Sequence, residues 1–211
     1  MHVRTVDQIL GESWEGYAQE EMAGAGEDGP GRDQVAELFG EPNPFEETVA
    51  PFGAQWPGLA ASPAGPWADA EQVAAQVLGE LADDDAWEAY LLDGAYRSAD
   101  LPVLAEERGL EGAGCWPYGM YEMYEMYEMY EMCVVLRSWE ERFGTRLVGL
   151  GDDRVIVSVA PPVRTSSEAE AIAAEHFAFS SDNITQGYDE TLRVYAAKQI
   201  VGRRVWSFWW D

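Results

Sequence analysis

Within residues 137–211 each segment carries one hydrophobic period and one stop signal, and this punctuation restricts the fold more than anything else in the chain. Two β-rich runs, 146–150 and 154–159, flank the turn signal Gly151-Asp152-Asp153, so an antiparallel hairpin is expected. Pro161-Pro162 ends the second run, because proline has no N–H for a ladder. Thr165 and Glu168 form a capping box that opens a helix. Ala169, Ile172, Ala173, His176 and Phe177 share one face of it. A loop follows at 180–187, and then Asp189 or Thr191 caps a further helix with Leu192, Tyr195, Ala196, Gln199 and Ile200 inward and Gly202 as its stop. Residues 205–210 are aromatic on both faces, as expected of a strand buried within a sheet.

This order predicts an α+β fold: a small, mostly antiparallel sheet, made of the hairpin 146–159 and the strand 205–210, covered by helices. The N-terminal half reads as helix and coil. Thr5 and Gln8 cap a first helix, 20–31 is a Gly- and acid-rich loop, and Asp33 caps a second helix that stops at Gly40. Six of the eleven prolines fall in 41–68, where neither helix nor central strand is expected and Trp56 and Trp67 pin a coil. From Asp69, which with Gln72 resembles a capping box, the period returns with Val73, Val77 and Leu81. Asp83-Asp84-Asp85 is read as the start of another helix, with Trp87, Tyr90 and Leu91 inward and Gly94 at its end. Residues 98–104 read as extended. The chain therefore divides into an acidic helical and Pro-rich region, 1–68, and an α+β domain, 69–211.

Met-Tyr-Glu is repeated without error over 120–131, and Met132 begins a fifth copy. A triplet advances about 300° on an α-helix, so no residue type keeps to one face. Glu and Met favour helix, which predicts a single helix from the repeat to Phe143. The repeat is low-complexity sequence, arising by duplication or as an artefact, or retained as an adaptable Met-aromatic binding face.

The chain has 211 residues, 47% of them hydrophobic, enough for a real core. Cys115 and Cys133 are too few for a disulfide framework or a zinc site, so a reducing cytoplasm is expected. No apolar run has signal-peptide or membrane-span length. Net charge is −26, and residues 1–118 hold 24 acidic and 4 basic side chains against 15 and 9 in residues 119–211. Such a surface repels nucleic acid and anionic membranes, which excludes direct binding to either. It suits solubility alone, a basic protein partner, or mimicry of nucleic-acid charge. No oligomeric state is assigned.

Arg137-Ser-Trp-Glu-Glu-Arg-Phe-Gly144, Ala174-Glu-His-Phe-Ala-Phe179, Asp182-Asn183, Gln186-Gly187, Tyr195-Ala196 and the terminal Trp206-Ser-Phe-Trp-Trp-Asp211 resemble the actinobacterial-type domain of unknown function 4253. The resemblance covers 133–211 well and 85–118 loosely, and it implies a bacterial protein with no established activity. The family pattern has Cys-Pro where this chain has Ser180-Ser181. It has a non-repetitive stretch after a Gly-Trp motif, here Cys115-Trp116, where this chain has the repeat.

Apart from His2, His176 is the one side chain suited to acid–base work near neutral pH. A hydrolase would use Ser180 as nucleophile, His176 as base and Asp182 as orienting group. The competing reading makes His176 a packed helix residue bonded to the loop at 180–183, and no Gly-x-Ser-x-Gly elbow supports the enzyme. Glu175, His176, Asp182, Asn183, Trp206 and Trp209 are the candidate binding residues, with the tryptophans able to stack a ring or to fill a core. One usable histidine and scattered carboxylates predict no metal site, and the nucleotide-binding glycine patterns are absent, so no cofactor is expected.

Overall fold

A computed structural model describes residues 4–24, 43–64, 67–110, 125–187 and 189–210. The expected helix at 33–40, the Cys115-Trp116 motif and the start of the Met-Tyr-Glu repeat lie outside the described residues. The fold is α+β. Four strands, β1 (Leu91–Tyr96), β2 (Arg146–Leu150), β3 (Arg154–Ser158) and β4 (Val205–Trp209), form one antiparallel sheet in the order β1-β2-β3-β4. β2 and β3 make the expected hairpin, with Leu147 opposite Val157 and Leu150 opposite Val155. Helix α3 (Ala70–Ala82) is capped by Asp69 and covers one face with Val73 and Val77 against Val148 and Ile156. The other face carries the larger core, which α1 (Val6–Gly24), α5 (Glu125–Phe143) and α6 (Ser166–Phe179) build with the sheet.

The capping boxes at Thr5 and Thr165 form reciprocally, while at Asp69 only the side chain accepts, from the Gln72 N–H. Gln8 N–H bonds the Thr5 hydroxyl, Thr5 N–H bonds the Gln8 amide, and Thr165 and Glu168 bond reciprocally. Gly144 and Gly202 take φ of 57° and 72°, the left-handed stops their positions require. Thr191 caps α8 (Leu192–Tyr195), which widens into a π-turn at Ala196–Ile200. That widening rotates the later residues, so Gln199 is exposed rather than inward.

Several expectations are corrected. Helix α1 runs to Gly24, so residues 20–24 are helical and not loop. The Pro-rich stretch contains one helical turn, α2 (Phe45–Thr48), just after Pro44. Residues 85–90 are turns and 91–96 are β1, because pairing with β2 wins over a helical spacing that was only one turn long. Residues 98–107 are a 3₁₀ turn followed by α4 (Leu101–Glu107); Pro102 is tolerated because the first helical turn needs no N–H. Helix α6 is buried all round from Ile172 onward and not on one stripe, since α1 and the coil at Ala60 cover its polar side. β4 is an edge strand: Trp206 and Phe208 face the core while Val205, Ser207 and Trp209 are half-buried on the other side.

The α1 layer is tied in by aromatic packing and by one ion network. Trp14 meets Phe177 edge-on at 5.3 Å and Phe45 at 6.4 Å. Glu175 is fully buried and takes a two-pronged bond from Arg142 at 2.6 Å on each oxygen, the Ala60 N–H at 2.7 Å and the Trp139 indole N–H at 2.9 Å. At the C-terminal end of the repeat, Met132 is buried and Glu131 pairs with Arg4.

Candidate functional site

Helix α6 carries His176 into the centre of the larger core. The imidazole is fully enclosed, with ring centroids of Trp206 at 4.5 Å, Phe208 at 4.7 Å and Trp139 at 5.3 Å. Burial alone holds it well below its ordinary pKa, so it is neutral at pH 7. Nδ1 lies 3.1 Å from the Tyr195 hydroxyl, and Nε2 has no hydrogen-bond partner among the described residues. Burial also raises the Tyr195 phenol far above its usual range.

The sequence-selected residues divide three ways. Glu175 points away from His176 into the Arg142 network. The Ser180 hydroxyl donates to the Trp209 carbonyl at 2.7 Å, which commits its hydrogen to the β4 backbone. Asp182 opens the short helix α7 (Asp182–Thr185) at the half-buried surface. Asn183, one residue on, joins His176 to the sheet. Its Nδ2 donates to the Ser207 carbonyl at 2.9 Å and reaches the Tyr195 hydroxyl at 3.4 Å, while its Oδ1 accepts the Trp209 N–H at 2.9 Å.

These bonds share a geometric cause. Arg204 and Trp210 bond β3 through their backbones, so by alternation residues 205, 207 and 209 turn their N–H and C=O outward from the edge strand. Asn183 and Ser180 satisfy part of that open edge, standing where a fifth strand would be. With the imidazole neutral and Asn183 donating to Tyr195, the phenol hydrogen is free to go to His176 Nδ1. A chain of bonds thus runs from His176 through Tyr195 and Asn183 to β4.

Beyond Asn183 the edge of β4 opens into a cleft of about 410 Å³. Tyr195, Asn183 and Trp206 form its core side, and Trp87, Arg154 and Trp209 contribute to the rest of its wall. Arg154 lies over the rings of Tyr90 and Trp87, at 5.2 and 5.8 Å, and bonds Ser207 Oγ at 3.3 Å. Of the residues chosen from sequence, Asn183, Trp206 and Trp209 line this cleft, whereas Glu175, His176 and Ser180 do not. Arg154, Tyr195 and Trp87 were not singled out as site residues. Arg154 begins a β-run and gives no linear signal, because its aromatic neighbours come from the turn before β1.

Residues 117–211 match the model of the family described as Domain of unknown function (DUF4253), which places the match on the C-terminal segment. No curated protein and no solved structure matches the chain significantly. Arg154, Asn183, Tyr195, Trp206 and Trp209 fall inside the family segment, while Trp87 falls outside it.

Proposed function

We propose that the protein is a non-enzymatic binding module of a bacterial cytoplasm that docks a basic protein partner, as an immunity or antitoxin protein does. One observation carries the reading: acidic side chains are placed where they cost stability. Glu20 and Glu21 stand exposed in the last turns of α1, and Glu80 stands near the end of α3 just before Asp83-Asp84-Asp85. Neither helix has a basic residue in its last turn. A carboxylate at that end opposes the helix dipole by roughly 0.3–1 kcal/mol. A cationic partner relieves both that cost and the −26 net charge.

The hydrolase alternative has less support. Its base is sealed among aromatic rings, and its nucleophile donates to a backbone carbonyl. No observation favours mimicry of nucleic-acid charge over a basic protein.

The test is capture of partners from the native host by the immobilised protein. Retained proteins should be basic and should elute as salt rises from about 0.1 to 1 M, over which the screening length falls from about 10 to 3 Å. The pair Glu20→Lys and Glu21→Lys, on an exposed face, should weaken retention without changing the fold. Retention of neutral proteins only, or retention indifferent to salt and to that pair, refutes the reading.

A further inference from the structure

We propose that the cleft along the outer edge of β4 is a binding site for a small monocarboxylate with an apolar, ring-sized body. Two residues of its wall each carry an enclosed donor without a hydrogen-bond partner among the described residues: the Arg154 Nε–H on the α3 face of the sheet and the Trp206 indole N–H on the core face. Trp206 is 2% exposed. Both groups donate only, so what completes them must supply acceptor oxygens. Leaving such donors dry costs about 1–3 kcal/mol each, which a ligand recovers.

The charges select an anion. The chain has 39 acidic and 13 basic side chains, yet among the described residues neither Arg154 nor Arg203, both in the cleft wall, pairs with a carboxylate. Asp189, the carboxylate in the wall, is engaged by Lys198 Nζ at 2.8 Å and Gln199 Nε2 at 2.9 Å. The Arg154 fork is held flat by Tyr90, Trp87 and Ser207, with its Nε edge unused, which suits a planar two-oxygen group. A net charge of −26 repels a second negative charge on the ligand, which favours a carboxylate over a phosphate. Trp87 and Trp209 supply apolar walls, and about 410 Å³ lies in the range of small-molecule pockets. This site is independent of the acidic outer surface and stands whether or not a basic partner exists.

The test uses full-length protein labelled with ¹⁵N at its indoles and a panel of acetate, phenylacetate and indole-3-acetate. Phenylacetamide and inorganic phosphate serve as controls. At up to about 10 mM, enough to reveal millimolar dissociation constants, the ring-bearing acids should shift the Trp206 indole resonance and raise Tm, while acetate and the controls should not. Arg154→Gln should weaken calorimetric binding at least tenfold. Trp206→Phe, which keeps a core ring and removes the N–H, should also weaken it, so the proposal stays testable if one variant fails to fold. Silence of the whole acid panel overturns the proposal. So does a stronger response to phosphate, equal binding of phenylacetamide, or unchanged affinity in a folded variant.

Discussion

Removing the Glu175 carboxylate should destabilise the protein more than any other single polar change in the described residues. Its side chain is completely buried, and its partner Arg142 keeps only 16% of its side-chain surface exposed. Each carboxylate oxygen accepts two donors: Oε1 from Arg142 and the Ala60 N–H, Oε2 from Arg142 and the Trp139 indole. Glu175→Ala strands a guanidinium, an indole N–H and a backbone N–H together. Breaking a buried pair from one side costs about 3–5 kcal/mol. Each orphaned neutral donor adds about 1–3 kcal/mol, although the partial exposure of Arg142 and local relaxation reduce the total. We expect a loss of about 4–5 kcal/mol, against a whole-domain stability of about 5–15 kcal/mol.

Urea unfolding at pH 7, followed by far-ultraviolet dichroism with a check that the m-value is unchanged, measures this directly. Glu175→Gln keeps the shape and one acceptor and should lose about half as much, which secures the measurement if the alanine variant does not fold. The double variant Glu175→Leu with Arg142→Leu removes both charges and should cost at least about 2 kcal/mol less than the sum of the two single changes. A Glu175→Ala cost below about 1 kcal/mol, or strict additivity in the double variant, would refute the reasoning.

Three further outcomes follow from buried polar groups. His176 has a lowered folded-state pKa, so the unfolded chain binds a proton that the native chain does not. Its contribution is complete above the unfolded value of about 6.5 and is lost below it, at about 1.4 kcal/mol per pH unit. Urea titrations between about pH 6.5 and 5, above the range of ordinary carboxylates, should show that slope, and His176→Gln should abolish it. Asn183→Ala leaves the Trp209 N–H and Ser207 C=O of β4 without partners and should cost about 2–3 kcal/mol in urea unfolding; a smaller loss than 1 kcal/mol would mean the edge is held otherwise. Burial pushes the Cys133 thiol up to about 11, so in a Cys115→Ser background its alkylation at pH 8 should be at least about a hundredfold slower than in urea-unfolded chain.

Signals confined to a few neighbouring residues were legible in the sequence. Thr165 with Glu168, Asp69 at its helix start, Gly144 and Gly202 at helix ends, and the hairpin all form where their chemistry places them. The strand at 91–96, the edge position of Trp209 and the full burial of α6 depended on partners far along the chain. Leu91 has helical spacing to Trp87, but Gly149 of β2 stands opposite it and makes the segment a strand. Trp209 reads as core, but it lies at an edge whose 207–209 backbone is bonded by Asn183 and Ser180, some 24–29 residues earlier. For the same reason α6 shows a stripe in sequence and complete burial in the fold: nothing local announces that Ala60 and Arg142 will bring bonds to Glu175.

The histidine illustrates how a catalytic residue type can be recruited to positioning. Its burial removes the proton exchange that makes histidine useful near neutral pH, and what remains is a rigid ring with one acceptor. That acceptor fixes the Tyr195 hydroxyl, which with Asn183 fixes the outer edge of β4. Tyr195 and Asn183 also line the cleft, so the chain of bonds sets the shape of a surface that His176 itself does not reach. Ser180 contributes in the same sense, since its hydroxyl holds the Trp209 carbonyl. His176, Ser180 and Asn183 are therefore linked through the backbone of β4 and not through a proton-transfer geometry. The guanidinium of Arg154 lies on the other wall of that cleft, between the aromatic rings and Ser207.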